Sequence, residues 1–273
     1  MTIDCLVHVH SSFSYDSKTD LADIARVARA QGIRCVLMSE HNNYMTPADM
    51  ERFVKRCDEL SDDTLLIVPG LELAYDSNRI HLLAFGVREY IGSTGPGCTF
   101  SSLVTAIREA GGVAVLAHPS HRQAIERIDP ADLDALDGIE IWNVKNGNRF
   151  FPTTPDVVTL RNARKRSTRP RAFAGVDWHH LNKFARVVLR VATPQVRAGD
   201  VLQSLRAGAF TIRGGLAVVP STGEIGPGRA LVYRATSAGL KKVRTTAYRW
   251  QSTLERKGFT TPRVLKDAAR RLF

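Results

Sequence analysis

Cysteine and histidine are both scarce in this chain of 273 residues, with four of the first and eight of the second. Cys5, Cys35, Cys57 and Cys98 lie far apart and form no CxxC pair, which excludes a thiolate zinc knuckle and a disulfide framework. Cys5 and Cys35 sit in apolar stretches and read as buried thiols, so a reduced, cytoplasmic setting is expected. No run approaches the roughly 18 uninterrupted apolar residues of a membrane span. The opening Met-Thr-Ile-Asp-Cys carries no basic segment, which argues against a cleaved signal peptide. Internal repeats and low-complexity tracts are also missing.

Acidic charge is short only at one end. The net charge is +11, yet residues 229–273 hold 12 Lys/Arg against Glu255 and Asp267, so the first 228 residues are near neutral. The basic character belongs to a C-terminal extension. We therefore expect a catalytic body over 1–215, and over 216–273 a loop followed by basic helices. The apolar content, 44%, is enough for one sizeable core.

Over the first two-thirds, short β-rich runs alternate with helical patterns, which predicts βα units around a parallel sheet. Strands are expected at 3–9, 33–38, 65–68, 79–85, 113–117, 138–142, 171–176 and 185–192. Asp20, Thr46 and Thr99 stand where helix caps belong, and Pro47 and Pro155 suit first helical positions. A further helix is expected at 199–207, and the Gly- and Pro-containing stretch 216–229 reads as a loop. Two helical stripes close the chain: Leu240, Val243, Ala247, Trp250 and Leu254, then Val264, Leu265, Ala268 and Leu272. Such stripes favour packing on the body. Nucleic acid and an acidic membrane surface are the less favoured partners of this basic tail.

What the chain does have is an ordered series of metal-type side chains. His8-x-His10, Asp16, His41, Glu72, His81, His118 and Asp177-x-His179 fall at or just past the ends of expected strands. Six of the eight histidines belong to the series. Side chains alternate along a strand, so His-x-His presents two imidazoles to one face. A carboxylate such as Glu72 can bridge two cations and keep them about 3.5–4 Å apart. In an α/β barrel the strand C-termini share one rim, which would gather these separate residues into one site. Two or three clustered divalent cations make hydroxide from water and clamp anionic oxygens, so a metallohydrolase acting on phosphate esters is expected.

The motifs His8-Val-His10 with Ser14-Tyr-Asp16, Ser39-Glu40-His41-Asn42, Gly70-Leu-Glu72, Ile80-His81-Leu-Leu, Ala117-His118-Pro119 and Gly175-Val-Asp177-Trp-His179 span about residues 1–192. In this order and spacing the chain resembles the polymerase-and-histidinol-phosphatase (PHP) superfamily of metal-dependent phosphoesterases. The resemblance implies a distorted (β/α)7 barrel, here with a basic helical C-terminal extension. It also implies three metal positions: His8, His10, Glu72 and Asp177 at one, Glu72, His81 and His118 at the second, Asp16, His41 and His179 at the third. Mn, Zn or Fe are the expected ions, with Mg a further candidate. The implied reaction is in-line attack on phosphorus by a hydroxide bridging two cations, with catalysis depending on Glu72, Asp177 and His179. Two positions depart from the family pattern: Asp16 stands where some members have His, and Glu40 where Asp is usual.

The expected substrate is a small phosphorylated molecule, a phosphomonoester or a nucleotide; short oligonucleotides and histidinol phosphate are alternatives. A metal-stabilised binding or regulatory module is the non-enzymatic alternative. Amidohydrolase chemistry would leave Asp16 and His179 unexplained. Arg122, Lys145 and Arg149 lie in expected rim loops and are candidates for holding phosphate, although solvated loop charge explains each as well. Glu140 suits either a hydrogen bond to a ligand histidine or a solvated strand position. His121 and His180 read as bystanders. Trp178 is expected to pack beneath the site rather than stack on a base or sugar.

Overall fold

The computed structural model describes residues 1–226 apart from 94, 96, 148 and 216, and beyond them 228, 230–233, 235, 236, 239, 246 and 253. The chain divides into two units, Met1–Glu224 and Ile225–Phe273. The two apolar stripes expected between Leu240 and Leu272 lie outside the described residues.

In the first unit the elements follow in the order β1 (Thr2–Val9), α1 (Leu21–Ala30), β2 (Cys35–Met38), β3 (Glu40–His41), α2 (Pro47–Leu60), β4 (Leu66–Val68), β5 (Gly70–Tyr75) and β6 (Ile80–Phe85). There follow α3 (Phe100–Glu109), β7 (Val113–Leu116), α4 (Pro130–Ala135), β8 (Gly138–Asn143), α5 (Thr154–Arg164) and β9 (Arg171–Gly175). The unit closes with β10 (Val187–Ala192), α6 (Ala198–Ala207), β11 (Phe210–Gly214) and β12 (Ala217–Pro220). Short 3-10 turns cover His121–Arg127 and Leu181–Lys183.

Local chemistry explains the helix starts. Asp20 accepts a hydrogen bond from the Ala22 amide at 2.7 Å. Thr46 with Asp49, and Thr99 with Ser102, exchange reciprocal bonds that satisfy the free amides of a first turn. α1 then turns Leu21, Ile24, Ala25 and Ala28 inward.

The strands form two six-stranded sheets, β12-β11-β10-β1-β2-β4 and β3-β5-β6-β7-β8-β9. Both are mixed, so the wholly parallel arrangement expected from the alternating pattern is corrected. β5 and β6 pair antiparallel, as do β6 and β7, and the run β1-β10-β11-β12 is antiparallel throughout. For β5 and β6 the reason is connection length. Asp76, Ser77 and Asn78 take left-handed backbone in succession between β5 and β6, a tight reversal with no room for the crossover a parallel pair needs. Gly70–Tyr75 form a further strand, β5, where Glu72 is expected just past a strand end, and residues 217–220 form strand β12 instead of loop.

The sheets meet along two seams. Only Ser39 separates β2 from β3, and only Pro69 separates β4 from β5, so two strands pass from one sheet to the other. Across the second seam the Val176 amide donates to the Val7 carbonyl at 2.9 Å, Trp178 to His8 at 3.2 Å, and His10 back to Trp178 at 3.0 Å. The fold is mixed α/β, and the strand ladders stop short of one continuous closed barrel. Cys5, Leu6, Val36, Leu37, Leu71, Leu82 and Leu116 are fully buried in the core. No described helix is long and apolar enough to cross a membrane.

Candidate metal centre

Backbone irregularity aims the first histidines. The β1–β2 register shifts between Val7 and Val9, and His8 lies in that bulge with φ +62°. The simple strand alternation expected for His8-x-His10 is therefore replaced by a bulge, a common device for re-aiming a side chain beside a site. His118 (φ +27°) and Asp177 (φ +50°) also hold left-handed backbone. Each such residue costs about 1–3 kcal/mol and persists only where its surroundings impose it.

The remaining residues arrive by several routes. His41 ends β3, His118 follows β7, and Asp177 and His179 follow β9. Glu72 and His81 depart from the strand-end expectation: Glu72 is the third residue of β5 and His81 the second of β6. Because β6 runs antiparallel to β5, its beginning lies beside the end of β5, with His81 opposite Ala74.

These residues converge on Glu72. His8 Nε2, His10 Nε2 and His41 Nδ1 lie 3.2, 3.3 and 3.4 Å from Glu72 Oε2. His81 Nδ1 and His118 Nε2 lie 2.6 and 3.2 Å from Oε1. Asp177 Oδ1 is 3.9 Å from His8 Nε2, 3.7 Å from His10 Nε2 and 3.3 Å from His179 Nδ1. Asp16 Oδ2 joins His41 Nε2 at 3.5 Å and His179 Nε2 at 3.1 Å. All nine residues of the sequence series thus belong to one connected cluster, and apart from Asp16 and His81 they are buried.

Hydrogen-bond partners fix which imidazole nitrogens carry lone pairs. Glu140 Oε1 accepts only, so His8 Nδ1, 3.0 Å away, is its donor and His8 Nε2 faces Glu72 unprotonated in the neutral ring. The Ser14 hydroxyl donates its one proton to Glu40 Oε2 at 2.5 Å, so His10 Nδ1, 3.3 Å from Ser14 Oγ, is the donor there. His10 Nε2 is then a buried lone pair. It makes no hydrogen bond, and its neighbours are the carboxylate oxygens of Glu72 and Asp177, at 3.3 and 3.7 Å.

Three sets of donor atoms lie within 4.8 Å of one another: His8, His10 and Asp177; His8, Glu72 and His118; His10, His41 and His179. Imidazole nitrogens packed this closely against carboxylate oxygens need either protons or cations between them. This donor set, oriented by a carboxylate and a hydroxyl behind the rings, fits divalent ions.

The charges agree with that fit. Burial alone would raise the Glu72 carboxyl, but His81, His8 and His41 hold it well below the usual carboxylate range. Asp177 is likewise held down against burial by His8 and Lys145. Asp16 is held down against its own desolvation by His179 and His41. Burial, with His41 and His179 nearby, pushes His10 well below the usual imidazole range, whereas Glu140 and Glu72 overcome burial and raise His8. Ionised carboxylates thus stand at the centre of the cluster, where positive charge on the surrounding groups, or on a bound ion, stabilises them.

The other candidates separate clearly. Glu140 is buried and accepts from the His118 amide at 2.9 Å and from Asn143 Nδ2 at 2.9 Å, in addition to His8, which rules out the solvated strand position. Glu40 accepts from the Ser11 amide and hydroxyl and from Ser14. Lys145 reaches the cluster, with Nζ 3.1 Å from Asp177 Oδ1 and 3.3 Å from His179 Nε2. Arg149 instead donates to the Phe184 carbonyl at 3.1 Å. The side chain of Arg122 lies outside the described residues. Trp178 is buried against Phe184 and donates to the His180 carbonyl, so it packs and does not stack on a ligand. The His121 ring lies 5.5 Å from that of His118.

Sequence reasoning missed Asn146, whose Nδ2 donates to Asp177 Oδ2 at 2.6 Å, and Asn143 beside it. Their spacing just past the Glu140 strand was a readable signal. It also missed Asp156, buried near the start of α5, which accepts from the Ser120 amide at 2.7 Å.

Comparison with known proteins follows the same line. Residues 7–140 match the PHP domain family model. No curated protein matches the chain significantly. Among solved structures, the chain is similar to a two-domain protein from Bacteroides vulgatus containing a predicted PHP-like metal-dependent phosphoesterase (TM-score 0.63, 14% identity, 80% of this chain and 66% of that one). It is similar to PsfC from Pseudomonas syringae (TM-score 0.54, 14% identity, 76% of this chain and 88% of that one). A third similar structure is the lesion-specific endonuclease PfuEndoQ from Pyrococcus furiosus (TM-score 0.54, 14% identity, 78% and 58%). The chain thus spans just under two thirds of the Bacteroides protein and less of the endonuclease. Residues 7–140, just under half of the chain, thus match the PHP domain family model and hold seven of the nine clustered residues, and the chain shares its fold with a PHP-like structure.

Proposed function

We propose that this chain is a metal-dependent phosphoesterase that hydrolyses a small phosphorylated substrate, a phosphomonoester or a nucleotide, at the Glu72 cluster. One observation carries the reading. The unbonded, buried Nε2 of His10 and the Nε2 of His8 face the same pair of carboxylates, Glu72 and Asp177, with both tautomers set from behind.

In this reading His8, His10, Glu72 and Asp177 hold one divalent ion, Glu72, His81 and His118 a second, and Asp16, His41 and His179 a third. Mn, Zn or Fe suit so many imidazoles, and the three carboxylates also admit Mg. Such ions supply an acidified water and neutralise the charge of a phosphoryl group. The protein's own part is orientation. Glu140 holds the proton on His8 Nδ1, and Ser14, itself fixed by Glu40, holds the proton on His10 Nδ1. Lys145, with its side chain 47% exposed at the edge of the cluster, is placed to bind a non-bridging phosphate oxygen. The two seams between the sheets support reading the first unit as a distorted seven-part barrel of the PHP kind, with the cluster at one end.

Phosphate release from a panel of sugar phosphates, nucleotides and histidinol phosphate tests the proposal, with Mn, Zn, Fe or Mg added to metal-stripped protein. Metal-dependent release that disappears in Glu72→Ala is expected. Fully loaded protein that releases phosphate from none of them would overturn it.

A further inference from the structure

Tyr15 and Tyr44 are 56% and 88% exposed, and no other Phe, Tyr or Trp among the described residues is exposed. A single exposed aromatic needs no explanation, but these two stand together. Their rings meet edge to face with centroids 5.5 Å apart, although they come from different loops, one after β1 and one between β3 and α2.

The pair adjoins the metal cluster. The Tyr15 ring lies 5.2 Å from the His41 ring at 35°. His41 in turn is 3.4 Å from Glu72 and 3.5 Å from Asp16, the residue after Tyr15. One imidazole therefore separates an apolar aromatic surface from the anionic centre. Tyr44 also holds a left-handed backbone, φ +67°, which a bulky residue seldom adopts. Its ring stays 88% exposed despite that backbone cost, with the Tyr15 ring against it.

We propose that Tyr15 and Tyr44 form a stacking platform for a planar ring on the substrate. The phosphate esters taken at this site are then those whose alcohol part carries an aromatic ring, such as a nucleoside or an aryl group. This rests on the phosphoesterase reading above. Because the two rings stand at 74° to each other, a ligand so placed lays its ring on the face of one tyrosine, meets the other edge-on, and directs its phosphate past His41 toward the cluster and Lys145. Every nucleobase and aryl group offers a π-face, so the platform selects for a ring without reading its identity. An aliphatic phosphate fills the polar end and leaves both tyrosines in water.

The test compares adenosine 5′-monophosphate and p-nitrophenyl phosphate with ribose 5-phosphate, on Mn-loaded wild type, Tyr15→Ala, Tyr44→Ala and Tyr44→Phe. Both kcat/KM and equilibrium binding by calorimetry are measured. The ring-bearing esters should be preferred by wild type, and that preference ratio should fall about tenfold in each alanine variant, the size of one base–aromatic stack. Tyr44→Phe, which keeps the ring, should restore it. A preference for the nucleotide over the aryl ester, or the reverse, identifies the source of the ring. A ratio near one in wild type, or a ratio unchanged by both alanine substitutions, overturns the platform. Phosphate release from any of the three esters by wild type judges the phosphoesterase reading separately, and the binding ratio judges the platform even where turnover is absent.

Discussion

Glu140 and Gly175 share one space. A Cβ at Gly175 would lie 2.0 Å from Glu140 Oε1, the atom that holds His8 Nδ1, and 2.6 Å from His8 Cβ. Gly175→Ala should therefore push Glu140 off His8 and loosen the ring's orientation. Metal affinity, followed by competition with a chelating dye, should fall about 10- to 100-fold, the usual cost of losing such a partner. Wild-type affinity in this variant would mean that Glu140 does not orient His8.

Asp177→Asn isolates charge from backbone. Asparagine tolerates left-handed φ as well as aspartate does, so the strained turn at Asp177 survives and only the negative charge is lost. Glu72→Ala removes the carboxylate shared by five imidazoles. Both variants should retain the wild-type circular dichroism spectrum and lose more than about 100-fold in phosphate release, beyond the loss expected for an outer partner. Near-normal turnover with metal still bound would place the chemistry elsewhere.

Metal uptake should release protons. Although burial opposes it, the carboxylates Glu140 and Glu72 raise His8, and Glu72 raises His41 and His118, above the usual imidazole range in the metal-free protein. Each must be neutral to bind an ion, so affinity should weaken as pH falls from about 8 to about 6. Calorimetry in buffers of different ionisation enthalpy should show net proton release per ion bound. Uptake with no proton release would contradict the charge state described.

Asp156 gives a separate pH signature in stability. Burial raises its carboxyl to about 7 despite the two hydrogen bonds from Ser120. A carboxyl raised in the folded state contributes stability at low pH that is lost as pH rises through the folded value. Wild-type stability relative to Asp156→Asn should therefore decline between about pH 4 and pH 7 and level off above. Parallel denaturation midpoints across that range would show that Asp156 ionises normally.

Much of the site was legible because ligand residue types are rare in this chain. With eight histidines in all, six ordered along expected strands left little room for another arrangement. The route by which they converge was not legible. His8 is turned by a bulge, and His81 arrives on an antiparallel strand, because bulges and strand direction depend on pairing between distant segments. Residues 21–60 were readable from caps and apolar spacing, which are local. Strands β11 and β12 were not, because the Gly214-Gly215 turn between them looks in sequence like the start of a loop. Tyr15 stands between Ser14 and Asp16 with no role implied for it, and Tyr44 carries no motif. Their closeness follows from two loops that the sequence places about 30 residues apart.

The central claim is that divalent ions sit between the histidines and carboxylates gathered around Glu72. Anomalous scattering from crystals of metal-loaded protein tests it most directly. The account predicts a peak about 2.0–2.2 Å from His8 Nε2 and His10 Nε2, shared with Glu72 and Asp177. Those nitrogens bonded only to water or to carboxylate oxygens, with no ion among them at saturating metal, would contradict it.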